Sequence, residues 1–267
     1  MEEIVWYLYP ALIAAGALAG VINTLAGSGS AVTLSLLLFL GLDANVANGT
    51  NRIGAITQCG TALLAYKKSG KLNFLAKKSL YLLMITFVGA MIGAYAATQF
   101  DKDAMETVIG LMMIVMFFVI LIKPKRWLRE TNLDININTP FNFVIFFCIG
   151  LYAGFIQMGM GIMFLAALVL RAQFSLTDSN IIKIIIVFAF IIPVFAIFVM
   201  AGHVHWIYGI LLAIGQSLGA WLAAKFALSH PKANIIVHRL LIAVVLFAIA
   251  KIFKLHIVIM ELLNISL

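Results

Sequence analysis

Two apolar stretches of this chain, residues 4–42 and 141–170, are each too long for one membrane crossing, and each is interrupted near its middle by glycine. The first carries Ala26-Gly27-Ser28-Gly29-Ser30 and the second Gly159-Met160-Gly161. One crossing takes about 20 apolar residues to span a hydrocarbon core roughly 30 Å thick. Each stretch therefore reads as a helical hairpin bent at its glycines. Lipid offers irregular backbone no hydrogen-bond partner, so such breaks persist only where protein or a bound solute satisfies them. This confines the chain to an all-α polytopic membrane protein. Its composition agrees: 64% of residues are hydrophobic and 10% charged, against about 45–50% and about 25% in a soluble domain.

Further spans are predicted at 53–66, 80–99, 105–122, 181–201, 206–225 and 237–253. Lys67, Lys68, Lys71, Lys77 and Lys78 follow the first of these with no acid among them, which puts that loop in the cytoplasm. Alternation then places Lys123, Lys125, Arg126, Arg129, Lys225, Lys232 and Arg239 on the same side. Glu2, Glu3, Asp43, Asp101, Asp103, Glu106, Glu261 and both chain ends fall outside. The net charge of +8 is thus a topology signal, and no nucleic-acid partner is expected. Met1-Glu2-Glu3 puts acid where a signal peptide has its basic region, so no cleavable signal is expected. Cys59 and Cys148 lack a CxxC spacing and read as small buried hydrophobes. The expected location is the inner (cytoplasmic) membrane, crossed several times.

The two halves echo each other. Gly16, Gly20 and Gly27 match Gly150, Gly154 and Gly161 at an offset of 134, and Arg52 matches Lys183 at 131. Gly70-Lys71-Leu72-Asn73-Phe74 parallels Gly202-His203-Val204-His205-Trp206. Residues 1–133 and 134–267 each read as a glycine-broken hairpin followed by three helices. An odd number of crossings per half makes the second half enter from the opposite side. Inverted repeats of this kind hold substrate where their discontinuous helices meet.

Ser28 and Ser30 open a half-helix after the first break, and Gly161 opens one after the second; free N–H groups there favour an anion. Close helix packing is the alternative role for the glycines. Arg52 precedes Lys67 by 15 residues, about 22 Å of helix, and so lies below the outer surface. It is expected either to pair with Asp43 or to be neutralised by a bound anion. Lys183 has the same choice, or snorkels to the interface. Asn23, Gln58, Gln157 and Gln216 interrupt apolar runs, while Asn48, Thr50 and Asn51 are expected in the loop before Arg52. Their amides and hydroxyls suit an oxyanion, though each also serves as helix–helix glue. His203 and His205, beside Trp206, read as an interfacial loop rather than a metal site. No HExxH, GxSxG, P-loop or paired carboxylate occurs in the spans. No enzyme activity, metal or cofactor is expected.

The segments 16–40 and Gly49-Thr50-Asn51-Arg52, with Gly154-Phe155-Ile156-Gln157-Met158-Gly159-Met160-Gly161, resemble the TauE/SafE family of sulfite and organosulfonate exporters. So do Ala201-Gly202-His203-Val204-His205-Trp206 and Gly215-Gln216-Ser217-Leu218-Gly219-Ala220. The resemblance implies a secondary transporter moving small sulfur-containing anions, usually outward. An importer or channel for another small anion with the same fold is the alternative. Where that family favours lysine after Thr-Asn this chain has Arg52, and Ile181 and Ile182 replace small polar residues before Lys183. The first repeat is therefore expected to carry more of the site. The expected partners are a small anion and the lipid bilayer, with a second copy of the chain allowed as a homodimer.

Overall fold

A computed structural model describes residues 8–26, 29–67, 70–121 and 136–227. The described residues are helical: α1 (Leu8–Ala26), α2 (Ser30–Phe39), α3 (Ala44–Lys67), α4 (Leu72–Lys78), α5 (Leu80–Gln99), α6 (Lys102–Leu121), α7 (Pro140–Phe155), α8 (Met160–Ala166), α9 (Leu176–Met200) and α10 (Trp206–Ala227). A π-helical turn, Ala167–Arg171, continues α8. Ser28, Gly27, the basic residues 123–129, the boundary at 133/134 and the span at 237–253 lie outside the described residues.

Both long stretches are broken as their glycines suggest. Helix α7 starts at Thr139-Pro140, where the threonine hydroxyl accepts from the Asn142 N–H and proline occupies the first turn. It ends at Phe155, and residues 156–159 are unwound. The turn back into a helix is made by Gly159, whose φ of +68° suits a residue without a β-carbon. Gly161 therefore lies within α8 and does not open it, because the left-handed turn comes two residues earlier.

The solvent-facing surface is apolar. On α5, Leu80, Met84, Val88, Ile92 and Tyr95 form an exposed stripe, while Leu82, Ile85, Ala90, Ala94 and Ala97 are buried opposite. Ile207, Ile210, Ile214 and Leu218 do the same on α10. A helix apolar on both its packed and its open face is solvated by hydrocarbon. Leu80–Gln99 and Asp178–Met200 are each long and apolar enough to cross a membrane. Both cysteines are free thiols, but Cys148 is exposed on α7 and only Cys59 is partly covered. Burial of Cys148 is thus corrected: its helix turns that face outward, and sulfur tolerates lipid as readily as core.

Two helix pairs pack backbone to backbone. A β-carbon added at Gly16 would sit 2.6 Å from the Leu212 carbonyl oxygen, and one at Gly20 would overlap that of Gln216, so α1 lies parallel to α10. Gly150 and Gly154 press on the carbonyls of Thr86 and Ala90 in the same way, so α7 lies parallel to α5. Small residues are what let membrane helices approach this closely. Helix α3 lies antiparallel to α9, as Arg52 over Phe198 and Gly60 against Phe188 show.

Candidate anion site

Helix α3 determines the site. It begins at Ala44, so Asn48, Thr50 and Asn51 belong to its second and third turns, not to a loop before a shorter span. Hydropathy treats these polar residues as wet, but each finds a partner inside the protein. Asn48 donates through Nδ2 to the Phe155 carbonyl at 2.7 Å. Thr50 accepts the His205 N–H at 2.8 Å. Asn51 accepts the Thr33 hydroxyl through Oδ1. All three are buried.

Arg52 is fully buried, and Asp43 is not its partner. Asp43 binds Lys102 instead, at 2.6 Å on the surface; this contact raises the Lys102 ammonium pKa above its ordinary value. Arg52 Nη2 donates to the Gly154 carbonyl at 2.6 Å and Nη1 to that of Ala153 at 3.3 Å, with a longer contact to Asn48 Oδ1 at 3.5 Å. Its guanidinium also lies 4.4 Å from the Phe198 ring centre. A half-helix ending at Phe155 leaves its last carbonyls unpaired and carries partial negative charge there. Arg52 and Asn48 supply what those carbonyls need, so the guanidinium is neutralised by a helix terminus rather than by a carboxylate.

The two breaks touch. Ser30, the first residue of α2, donates its hydroxyl to the Gln157 carbonyl at 3.3 Å and accepts the Gly159 N–H at the same distance. The Ser30 carbonyl accepts from Thr33, whose hydroxyl also reaches Asn51. A continuous polar chain thus runs from the unwound segment through α2 to α3. The N-cap of α2 is Gly29, which has no side chain to cap it. Three buried polar atoms beside this chain have no partner among the described residues: Asn51 Nδ2, Arg52 Nε and Gln157 Oε1. Two are donors, and buried polar groups in native structures are nearly always paired.

The other residues expected at the site stand apart or serve elsewhere. Asn23 donates to Gln58 Oε1 at 2.8 Å, tying α1 to α3. Gln216 is buried on α10 with its amide against Gly54 of α3. Lys183 is buried and donates to Asn180 at 3.0 Å. It lies 15 residues from Phe198 along α9, about 22 Å from the Arg52 contact. Ser30, Asn51, Arg52 and Gln157 are thus brought together with Asn48 and Thr33, and Asn23 packs on Gly29 just before Ser30, whereas Lys183 does not reach them. Thr33, Phe198 and Tyr152, whose hydroxyl donates to the Met158 carbonyl, were missed from sequence. Thr33 had a readable signal, a hydroxyl that with Ser35 interrupts the apolar run after Ser30.

Thr50 faces the loop at 203–205 and not the breaks. Thr50→Val should therefore lower stability by about 1–2 kcal/mol, the cost of an unpartnered His205 N–H. Thermal unfolding in detergent would measure this, and anion affinity should stay unchanged.

The family model described as sulfite exporter TauE/SafE matches residues 12–252. A probable membrane transporter protein, ORF9, of a Sinorhizobium species is 28% identical over 231 residues, covering 86% of this chain and 87% of the relative. The probable membrane transporter protein YfcA of Escherichia coli K12 is 28% identical over 79% of this chain and 78% of its own. YunE of Bacillus subtilis, also a probable membrane transporter protein, is 24% identical over 80% and 86%. No solved structure matches the chain. Its helices with apolar outer faces, its two broken helical stretches and a match running from residue 12 to 252 lead to one conclusion: the chain belongs to the sulfite exporter TauE/SafE family of membrane transporters.

Proposed function

We propose that this protein is a secondary transporter that exports small sulfur-containing anions, sulfite or organosulfonates, across the cytoplasmic membrane. The observation that carries this reading is the meeting of the unwound segment 156–159 with the Gly29-capped N-terminus of α2, beside the donors Asn51 Nδ2 and Arg52 Nε, which have no partner among the described residues. Donors and a positive helix end favour an oxyanion with several equivalent oxygens. Ser30, Asn51, Arg52 and Gln157 are the residues assigned to it, with Thr33 and Asn48 holding them in place.

The two halves are proposed to be inverted repeats. The support is the matched packing: Gly16 and Gly20 meet α10 as Gly150 and Gly154 meet α5. Chain directions agree, since α1 parallels α10, α7 parallels α5, and α3 opposes α9. Asn45 at the start of α3 donates to the Phe100 carbonyl at the end of α5, which makes α3 and α5 antiparallel and so α1 and α7 opposed.

Purified protein in liposomes loaded with labelled sulfite should release it faster than protein-free liposomes, with an organosulfonate competing. Release of chloride or phosphate without sulfite release would overturn the substrate assignment. For topology, single cysteines at Lys71 and Asp103 should react with an impermeant thiol reagent from opposite sides of the membrane. Reaction of both from one side would overturn the inverted arrangement.

A further inference from the structure

The two halves are caught in different conditions. Helix α7 stops at Phe155, whereas α1 continues to Ala26. At the offset of 134 that relates Gly20 to Gly154, Phe155 corresponds to Val21, so α1 runs five residues further (26 − 21). The carbonyls that unwinding frees on α7 are taken by α3: Arg52 holds those of Ala153 and Gly154, and Asn48 that of Phe155. The matching residues of α9, at an offset of 131, are Lys183 and Ser179. Both are buried, yet neither is engaged in this way. Lys183 donates to Asn180, Ser179 to the Phe174 carbonyl at 3.5 Å, and the Gly20 carbonyl takes the Thr24 hydroxyl at 2.8 Å. In one half the helix ends at Phe155 and is capped by a cation; in the other it stays helical to Ala26, and the matching cation rests on a neighbouring amide.

We propose that Arg52 and Lys183 are alternating helix caps. In the opposite-facing state, α1 unwinds beyond Val21 and Lys183 and Ser179 take the carbonyls of residues 19–21. Residues 156–159 then rewind, and Arg52 releases Ala153 and Gly154. The inference rests on the inverted-repeat reading above. Its physical basis is that freed carbonyls and buried cations are each costly alone in a membrane interior, and cheap together. Unwinding one half-helix is thereby tied to the position of the other half's cation. In this scheme Lys183 is a positioning residue that acts through the helix break, and Arg52 adds the same role to its contact with the anion.

The test uses the full chain with Cys59 and Cys148 replaced by alanine, and Asn23→Cys or Gln157→Cys as reporters. Asn23 is half-buried and Gln157 is buried in the state described here. Arg52→Ala should raise thiol labelling at Gln157→Cys relative to Asn23→Cys by about tenfold, the scale on which losing a charged hydrogen bond shifts a two-state balance. Lys183→Ala should shift the ratio in the opposite direction. Shifts in the same direction, or none, would overturn the proposal. If Arg52→Ala fails to fold, the pair Val21→Cys and Ser179→Cys, with Arg52 and Lys183 intact, decides. That pair should form a disulfide in membranes and arrest transport, as should Asn48→Cys with Phe155→Cys. If only the second pair cross-links while Lys71 and Asp103 label from opposite sides, the alternating caps are wrong and the inverted repeats stand. If Lys71 and Asp103 label from one side, both are wrong.

Discussion

Arg52→Ala is expected to reduce anion transport to background and to lower stability by about 3 kcal/mol or more. The side chain is fully buried and makes hydrogen bonds to two backbone carbonyls. Removing it leaves the carbonyls of Ala153 and Gly154 unpartnered, at about 1–3 kcal/mol each. It also removes the cation that opposes the negative end of α7. Arg52→Lys should recover part of the stability and less of the transport, because an ammonium keeps the charge but lacks the fork that spans two acceptors. Thermal midpoints in detergent and labelled-sulfite efflux from liposomes measure the two effects separately. Normal transport in Arg52→Ala would remove the residue from the mechanism altogether.

The second large effect concerns driving force. The acids among the described residues are Asp43, Asp101, Asp103, Glu106 and Asp178. The first four lie before α3 or before and within the first two turns of α6, and Asp178 is in the first turn of α9 within 3.6 Å of Lys71. None of these carboxylates sits mid-helix to carry a proton or sodium ion across. A monovalent sulfonate leaving a cell that is negative inside gains about 2.3 kcal/mol per 100 mV. That corresponds to a concentration ratio of roughly fifty-fold. Liposomes clamped with potassium and valinomycin at equal pH should therefore show anion flux that follows the imposed potential. Flux that ignored the potential but tracked a proton or sodium gradient would replace this account with a coupled one.

Much of this architecture is legible in the sequence because membrane helices announce themselves by unbroken apolarity and their breaks by glycine. Helix α5 matches its predicted bounds, 80–99, and both long stretches break within a few residues of the glycines. The polar start of α3 was misread because hydropathy assumes that asparagine and threonine are solvated, whereas here backbone groups of other helices solvate them. The partner of Arg52 was not legible for a deeper reason. It is a pair of main-chain carbonyls 101 and 102 residues away, and every residue has a carbonyl. Only the place where a helix stops makes one available, and that depends on Gly159 and its φ of +68°. Arg52 and Lys183, matched at an offset of 131, were both candidates for the anion, with the first repeat expected to carry more of the site. The antiparallel packing of α3 on α9 separates them instead.

The glycine-lined pairing of α1 with α10 and of α7 with α5 bears on how the chain is made. A chain inserted from its N-terminus delivers α1 to the bilayer first, but the surface that fits its Gly16 and Gly20 face arrives only with Leu212, Gln216 and Ala220. Nearly 200 residues of synthesis separate the two, from Gly20 to Gln216. At about 5–20 residues per second, α1 spends some ten seconds or more with small residues and exposed backbone facing lipid before its partner emerges. Helix α7 is different, because α5 is already in place when it arrives. Assembly of this protein is thus front-loaded with waiting and completed late, and truncation after α9 would leave the first helix permanently without the surface it was shaped to meet.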